Sequence, residues 1–242
     1  MIFGFLKSNG QKYKTTQIVN GEKVKIDYSD FYDLRSNDKY DEFHIGKIQV
    51  TSGQFVITDP FLLYNPHPLE KTVDTGQYDM YLYFHDCDMG YRVAYAVIEF
   101  DKKIPETWEC ALTNDSLLEG MDKTTNGLFP VDAGLLCVSD KETFKAYDDF
   151  YNDFVKKNPD GNIYDDHFAG EFAKNGNIPK GTYKDGDWIN YPINKDHNII
   201  MFSSGLGDGL YPAYWGIDEN GKPLKLLVDL LVIERLGKSK RR

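Results

Sequence analysis

The amino-acid sequence predicts an α+β domain built mainly on antiparallel β-sheet, bent into a sandwich or an open barrel, with one short helical block. Three observations carry this expectation. Aromatic residues make up 14% of the chain, with 17 Tyr and 15 Phe, a composition that suits half-buried pleated surfaces. Helical periodicity is confined to one block, Lys141 to Lys174. Elsewhere strand-like runs follow one another without the regular alternation of strand and helix that a parallel sheet demands.

The first 45 residues read as a peripheral segment, in which "VNGEKVKIDY" sets an Asn-Gly turn between two short alternating runs and "YDLRSNDKYDEF" is a charged connector of poor period. The domain proper is expected over residues 46–236. "KIQVTSGQFVITDPF" gives two extended runs about a Ser-Gly turn, stopped at Asp59-Pro60 because a residue before proline is pushed out of helical geometry. "GQYDMYLYFHD" and "YRVAYAVIEF" are successive strands, and apolar residues on both faces of the second mark it as central. "ETWECAL" suits a strand or a short helix, while "GLFPVDAGLLCVSD" reads as extended and buried. In "SDKETFKAYDDFYNDFVKK", Ser139 and Glu142 form a capping box, and Phe144, Tyr147, Tyr151, Phe154 and Val155 recur at steps of three and four. "IYDDHFAGEFAKNG" is expected to be a second helix ending at Gly176, followed by a Gly/Asn/Lys/Pro-rich loop through "NGNIPKGTYKDGDW". "HNIIMFSS", "LYPAYWGI" and "LKLLVDLLVIE" close the chain as strands, the last two joined at "DENGK". Residues 237–242 form a basic tail.

A net charge of −10 argues against a general affinity for nucleic acid or anionic membranes. Cys87, Cys110 and Cys137 are too few and too widely spaced for a disulfide framework or a zinc site. No apolar run is long enough to span a bilayer, and the short apolar start is unlike a signal peptide. A cytoplasmic protein without cofactor or bound metal is the resulting expectation.

"SSGLGDGLYPAYWGIDENGK" concentrates the candidate site residues. Gly205, Gly207 and Gly209 are spaced like a nucleotide loop, but an extended, proline-containing strand follows where a phosphate cradle needs a helix N-terminus. Asp208 is then either a turn-shaping acceptor or a carboxylate projecting into a pocket. "DENGK" lacks the ligand pattern of a calcium loop, and His85-Asp86 lies at a strand end, unlike the helical sites of metal phosphohydrolases. No serine sits in a nucleophile elbow, and no cysteine has a recognisable histidine partner. Glu109, Asp132 and Asp208 are the candidate catalytic carboxylates, able in principle to hold a divalent ion over a phosphoester or glycan. Asp229, inside "LLVDLLV", must be paired or hydrogen-bonded if buried. Candidate binding residues are Gly207, Asp208, Gly209, Tyr211, Trp215, Trp108 and Asp132, aromatic rings offering contact area with a polar tip.

Taken together, "TSGQFVITDP", "GQYDMYL", "RVAYAVIEF", "TWECAL", "VDAGLLCVSD", "SGLGDGLYPAYWGIDENGK" and "LLVDLL" resemble the uncharacterised bacterial family known as domain of unknown function 4241, from about Lys47 to Leu231. The resemblance implies a single domain of bacterial, cytoplasmic origin. It also implies that Asp59, Gly76, Tyr78, Trp108, Glu109, Asp132, Gly134, Asp208, Gly209, Tyr211 and Asp229 define the type. It carries no activity. The expected function is a non-catalytic binding or interaction module, its acidic surface suited to masking a basic protein partner in bacterial conflict or defence. The alternative is a hydrolase using the carboxylates of Glu109, Asp132 and Asp208.

Overall fold

The computed structural model describes residues 13–19, 22–32, 34–62, 66–114, 126–175 and 187–233. The Asn20-Gly21 turn, Gly176, Glu234 and the basic tail lie outside them. The strands are β1 (Lys14–Val19), β2 (Glu22–Asp27), β3 (Asp41–Val50), β4 (Phe55–Thr58), β5 (Gly76–Cys87), β6 (Gly90–Glu99), β7 (Thr107–Cys110), β8 (Leu128–Val131), β9 (Leu135–Asp140), β10 (Trp188–Pro192), β11 (Asn198–Ser203), β12 (Gly209–Ile217) and β13 (Pro223–Asp229). Helix α1 (Lys141–Lys157) is followed by a π-helical turn (Tyr164–Phe168) and helix α2 (Ala169–Ala173).

All pairings are antiparallel. A larger sheet runs β3-β5-β6-β13-β12-β7, with β8 on the free part of β12, and a smaller one runs β10-β11-β9-β4. Strand alternation turns one face of each sheet inward. Met80, Leu82 and Phe84 of β5, Leu226 and Val228 of β13, and Trp215 of β12 meet Phe55, Ile57, Leu136, Val138, Ile200 and Phe202 of the smaller sheet in one core. The fold is thus an open antiparallel β-sandwich, as the sequence leads one to expect, and neither sheet closes into a barrel. The central position of β6 follows from its two apolar faces: Ile98 and Val93 point inward, Tyr95 and Val97 outward.

Each outer face carries a layer of packed side chains over part of its area. Ile26, Tyr28, Phe31 and Leu34 pack over Tyr95, Trp108 and Leu227 on the larger sheet. Phe144, Tyr147, Phe168 and Phe172 of the helical block pack over Leu135, Cys137, Ile199 and Met201 on the smaller one. The sheets are also stitched at one edge by side chains. Asn198 Nδ2 and Asn190 Nδ2 donate to the Lys47 carbonyl at 2.7 and 3.2 Å, and Asn198 Oδ1 accepts from the Gln49 amide at 2.7 Å.

Three local differences from the sequence expectation have physical causes. The larger sheet begins at Asp41, inside the charged connector, because a bulge between His44 and Lys47, with Gly46 at φ +102°, breaks the period of two that would reveal the strand. The helix cap is Asp140 rather than Ser139: the Asp140 side chain accepts from the Glu142 amide at 3.0 Å, while Ser139 remains in β9 with its hydroxyl unpaired among the described residues. The segment "WINYP" is a strand, β10, that its flanking Asp, Gly and Pro obscure.

Candidate functional site

Two loops leave the sandwich side by side. The first is the turn Asp132-Ala133-Gly134 between β8 and β9, and the second is Ser204 to Asp208 between β11 and β12. Asp59, 1% exposed just after β4, fixes the first: its Oδ2 accepts from the amides of Asp132 and Ala133 at 3.0 and 2.7 Å, and its Oδ1 from Phe61 at 2.8 Å. A buried carboxylate is stable when donors surround it, so Asp59 acts as an internal cap for the loop.

The second loop hooks onto the first. The Ser204 amide donates to the Gly134 carbonyl at 3.1 Å, and the Gly134 amide donates back to Asp208 Oδ1 at 3.1 Å. Within it, the hydroxyls of Ser204 and Tyr211 both donate to the Gly207 carbonyl, at 2.7 and 2.6 Å. Gly205, at φ +65°, lies so close to the Leu230 carbonyl that a Cβ would come within 2.6 Å of it, which accounts for this glycine twice over. Burial raises the Tyr211 phenol above its ordinary range, with the Asp208 charge adding to it and the Ser204 hydroxyl opposing.

Beside these loops a cleft of about 590 Å³ opens toward the helical block. Its walls are Ala133, Gly134 and Leu135 from the first loop and β9, Phe61, Tyr151, Phe154 and Val155 of α1, and Ile163, Tyr164 and Phe172 beyond it. Ser203 also lines it. Behind Ser203 stands Asp187, 2% exposed, whose carboxylate accepts from the Ser203 hydroxyl. Burial raises the Asp187 carboxyl above its ordinary value, with the Ser203 bond and the Arg92 charge opposing that rise.

The sequence-predicted residues separate into two groups. Asp132, Gly134, Gly207, Asp208, Gly209 and Tyr211 come together in the coupled loops, with Asp132 and Asp208 both exposed. Glu109 does not join them: it sits on β7 opposite Trp215 and pairs with Lys71 at 2.9 Å. Trp108 and Trp215, each 1% exposed, lie in different cores on opposite faces of the larger sheet and share no groove. Asp229 is 2% exposed and accepts from the Leu231 amide at 3.0 Å, shaping the chain where it leaves β13. His85 Nδ1 lies 3.0 Å from the Lys39 carbonyl. Among the described residues no group of three or more His, Cys, Asp or Glu could hold a metal ion. None of the described helices is long and apolar enough to cross a membrane.

The cleft lining itself was hidden from sequence reasoning except for one signal. The apolar face of α1 extends to Phe154 and Val155, beyond the part that Phe144 and Tyr147 bury, and Val155 is 43% exposed. A helix stripe that outruns its core marks a surface with room on it.

Fold and loops define a class: open antiparallel β-sandwiches with an internally capped double loop at the mouth of an apolar cleft. The chain belongs to the protein family of unknown function DUF4241, whose model matches residues 48–228. No curated protein and no solved structure matches it.

Proposed function

We propose that the protein is a non-catalytic binding module whose cleft receives an aromatic or branched aliphatic group. The observation that carries this reading is the character of the lining. Phe61, Leu135, Tyr151, Phe154, Ile163 and Phe172 make the walls, whereas Asp132, Asp208 and Glu109 all stand outside it. Sites that hold ligands by burial are concave and mainly apolar, with few polar groups to fix orientation; here the Ser203 hydroxyl and the phenols of Tyr151 and Tyr164 supply those. Asp208 contributes one oxygen to bracing Gly134, which supports a shaping role for the Ser204–Asp208 loop. An acidic module of this kind suits bacterial conflict or defence, in which a partner is masked by binding alone.

The test is fragment binding followed by amide chemical shifts. Small aromatic and branched aliphatic fragments should perturb Gly134, Leu135, Tyr164 and Ser203 as one cluster, and Val155→Glu should abolish those shifts while leaving the fold intact. Perturbations scattered over the surface would remove the cleft as a site. Turnover of p-nitrophenyl phosphate or p-nitrophenyl glycosides that disappears in Asp208→Asn would replace this reading with that of a hydrolase.

A further inference from the structure

Strand β12, which follows the Ser204–Asp208 loop, has a second side. Tyr211 and Ala213 of β12 point into the sandwich, so Leu210, Pro212 and Tyr214 point outward. β8 lies alongside with Leu210 opposite Pro130 and Pro212 opposite Leu128. The outward face of this ribbon is therefore two leucines and two prolines. Leu128 is 36% and Leu210 46% exposed. Among the described residues the cover of the larger sheet stops short of it: Phe31 packs on Tyr214 with ring centroids 5.2 Å apart, but Pro212 and Leu210 extend beyond that contact.

Charge surrounds this face on one side. Asp132 directly follows the β8 strand, Asp208 directly precedes β12, and both are exposed on a chain of net charge −10. Both carboxylates stand at the Val131–Gly209 end of the ribbon, where they favour a partner that carries positive charge. The exposed leucine and proline surface is only on the order of a few hundred Å², short of the ~1,200 Å² or more that a stable interface buries. Pro130 interrupts the row of amide donors on β8, so a partner adding itself as a further strand is disfavoured. What fits is a segment laid across the face.

We infer that the Leu128, Pro130, Leu210 and Pro212 face docks a partner protein through a segment that is apolar on one side and carries Lys or Arg at its margins, held by Asp132 and Asp208. Apolar contact supplies the affinity, and the carboxylates select a basic partner and speed its encounter. This surface is distinct from the cleft, so either can fail without the other.

The probe is a labelled amphipathic helical peptide of leucine and lysine, compared by fluorescence anisotropy with a counterpart in which glutamate replaces every lysine. The basic peptide should bind the full chain and the acidic one should not. Leu128→Ser with Leu210→Ser should weaken binding about tenfold, with an unchanged melting curve because both side chains are exposed. Asp132→Asn with Asp208→Asn should weaken it at low salt, and Val155→Ser in the cleft should not. Equal affinity for wild type and the leucine variant would overturn the inference, since attraction to the acidic body as a whole would then explain the binding. A concentration-dependent dimer in sedimentation, lost on Leu210→Ser, would also overturn it by assigning the face to a second copy.

Discussion

Asp59 and Asp187 are both buried carboxylates next to the cleft, yet their surroundings differ. Asp59 collects three backbone amides and so holds the turn between β8 and β9 in place. Asp187 is dominated by burial, which raises its carboxyl above the ordinary value of 3.8, and the Ser203 hydroxyl and Arg92 offset only part of this. A carboxyl whose folded-state value is raised holds its proton longer folded than unfolded. Its contribution to stability is complete below the unfolded value, and it is lost as pH rises through the folded one. Asp187→Asn needs no deprotonation, and its side-chain oxygen can still accept from Ser203. The variant should therefore match wild type near pH 3 and exceed it in urea midpoint at pH 7. A deficit that grows toward neutral pH would mean that Ser203 and Arg92 outweigh the cost of burial. Neither environment is legible in the sequence, because "TDP" and "GDW" show an aspartate without showing what surrounds it.

At the scale of elements, hydrophobic period revealed most strands and the long helix but not what holds them in register. Helix α1 begins at a residue with two duties. Asp140 caps the Glu142 amide and also accepts from Thr51 Oγ1 at 3.0 Å, the Ser52 amide at 2.9 Å and Ser52 Oγ at 2.8 Å. It thereby ties the helix to the turn between β3 and β4. An ordinary cap is worth about 1 kcal/mol, whereas Asp140→Ala also strands hydroxyl and amide donors near the core. We expect a loss of about 2–4 kcal/mol in urea unfolding. A loss no larger than that of a simple cap would show that Thr51 and Ser52 find water instead. The capping-box pattern pointed to Ser139 because it reads only local spacing, and the competing demand on Asp140 comes from residues some ninety positions away. The same kind of non-local pairing keeps β10 from showing in the sequence pattern. Its register is set by β11, and Asn190 within it reaches back to the carbonyls of Ile45 and Lys47.

Across the whole molecule, the layering places residues outside the family match in a structural role within it. The match covers residues 48–228, yet Ile26, Tyr28, Phe31 and Leu34 cover the outer face of the larger sheet. Phe31 is the centre of this cover, with ring centroids 5.0 Å from Trp108, 5.2 Å from Tyr214 and 5.9 Å from Tyr95. Without it, Trp108 and Leu227 would face water from the middle of a sheet whose other face is already committed to the sandwich. Composition marked the first 45 residues as polar and mixed, which hides a few well-placed apolar side chains among many charged ones. Removing a buried Phe side chain from a packed site costs about 3–5 kcal/mol. Because this layer is thin and able to relax, Phe31→Ala should fall near the lower end of that range. The variant should also shift tryptophan emission to the red and make it more open to acrylamide quenching, as water reaches Trp108. Stability within about 0.5 kcal/mol of wild type, with unchanged emission, would make the N-terminal layer an appendage instead of the outer wall of the fold.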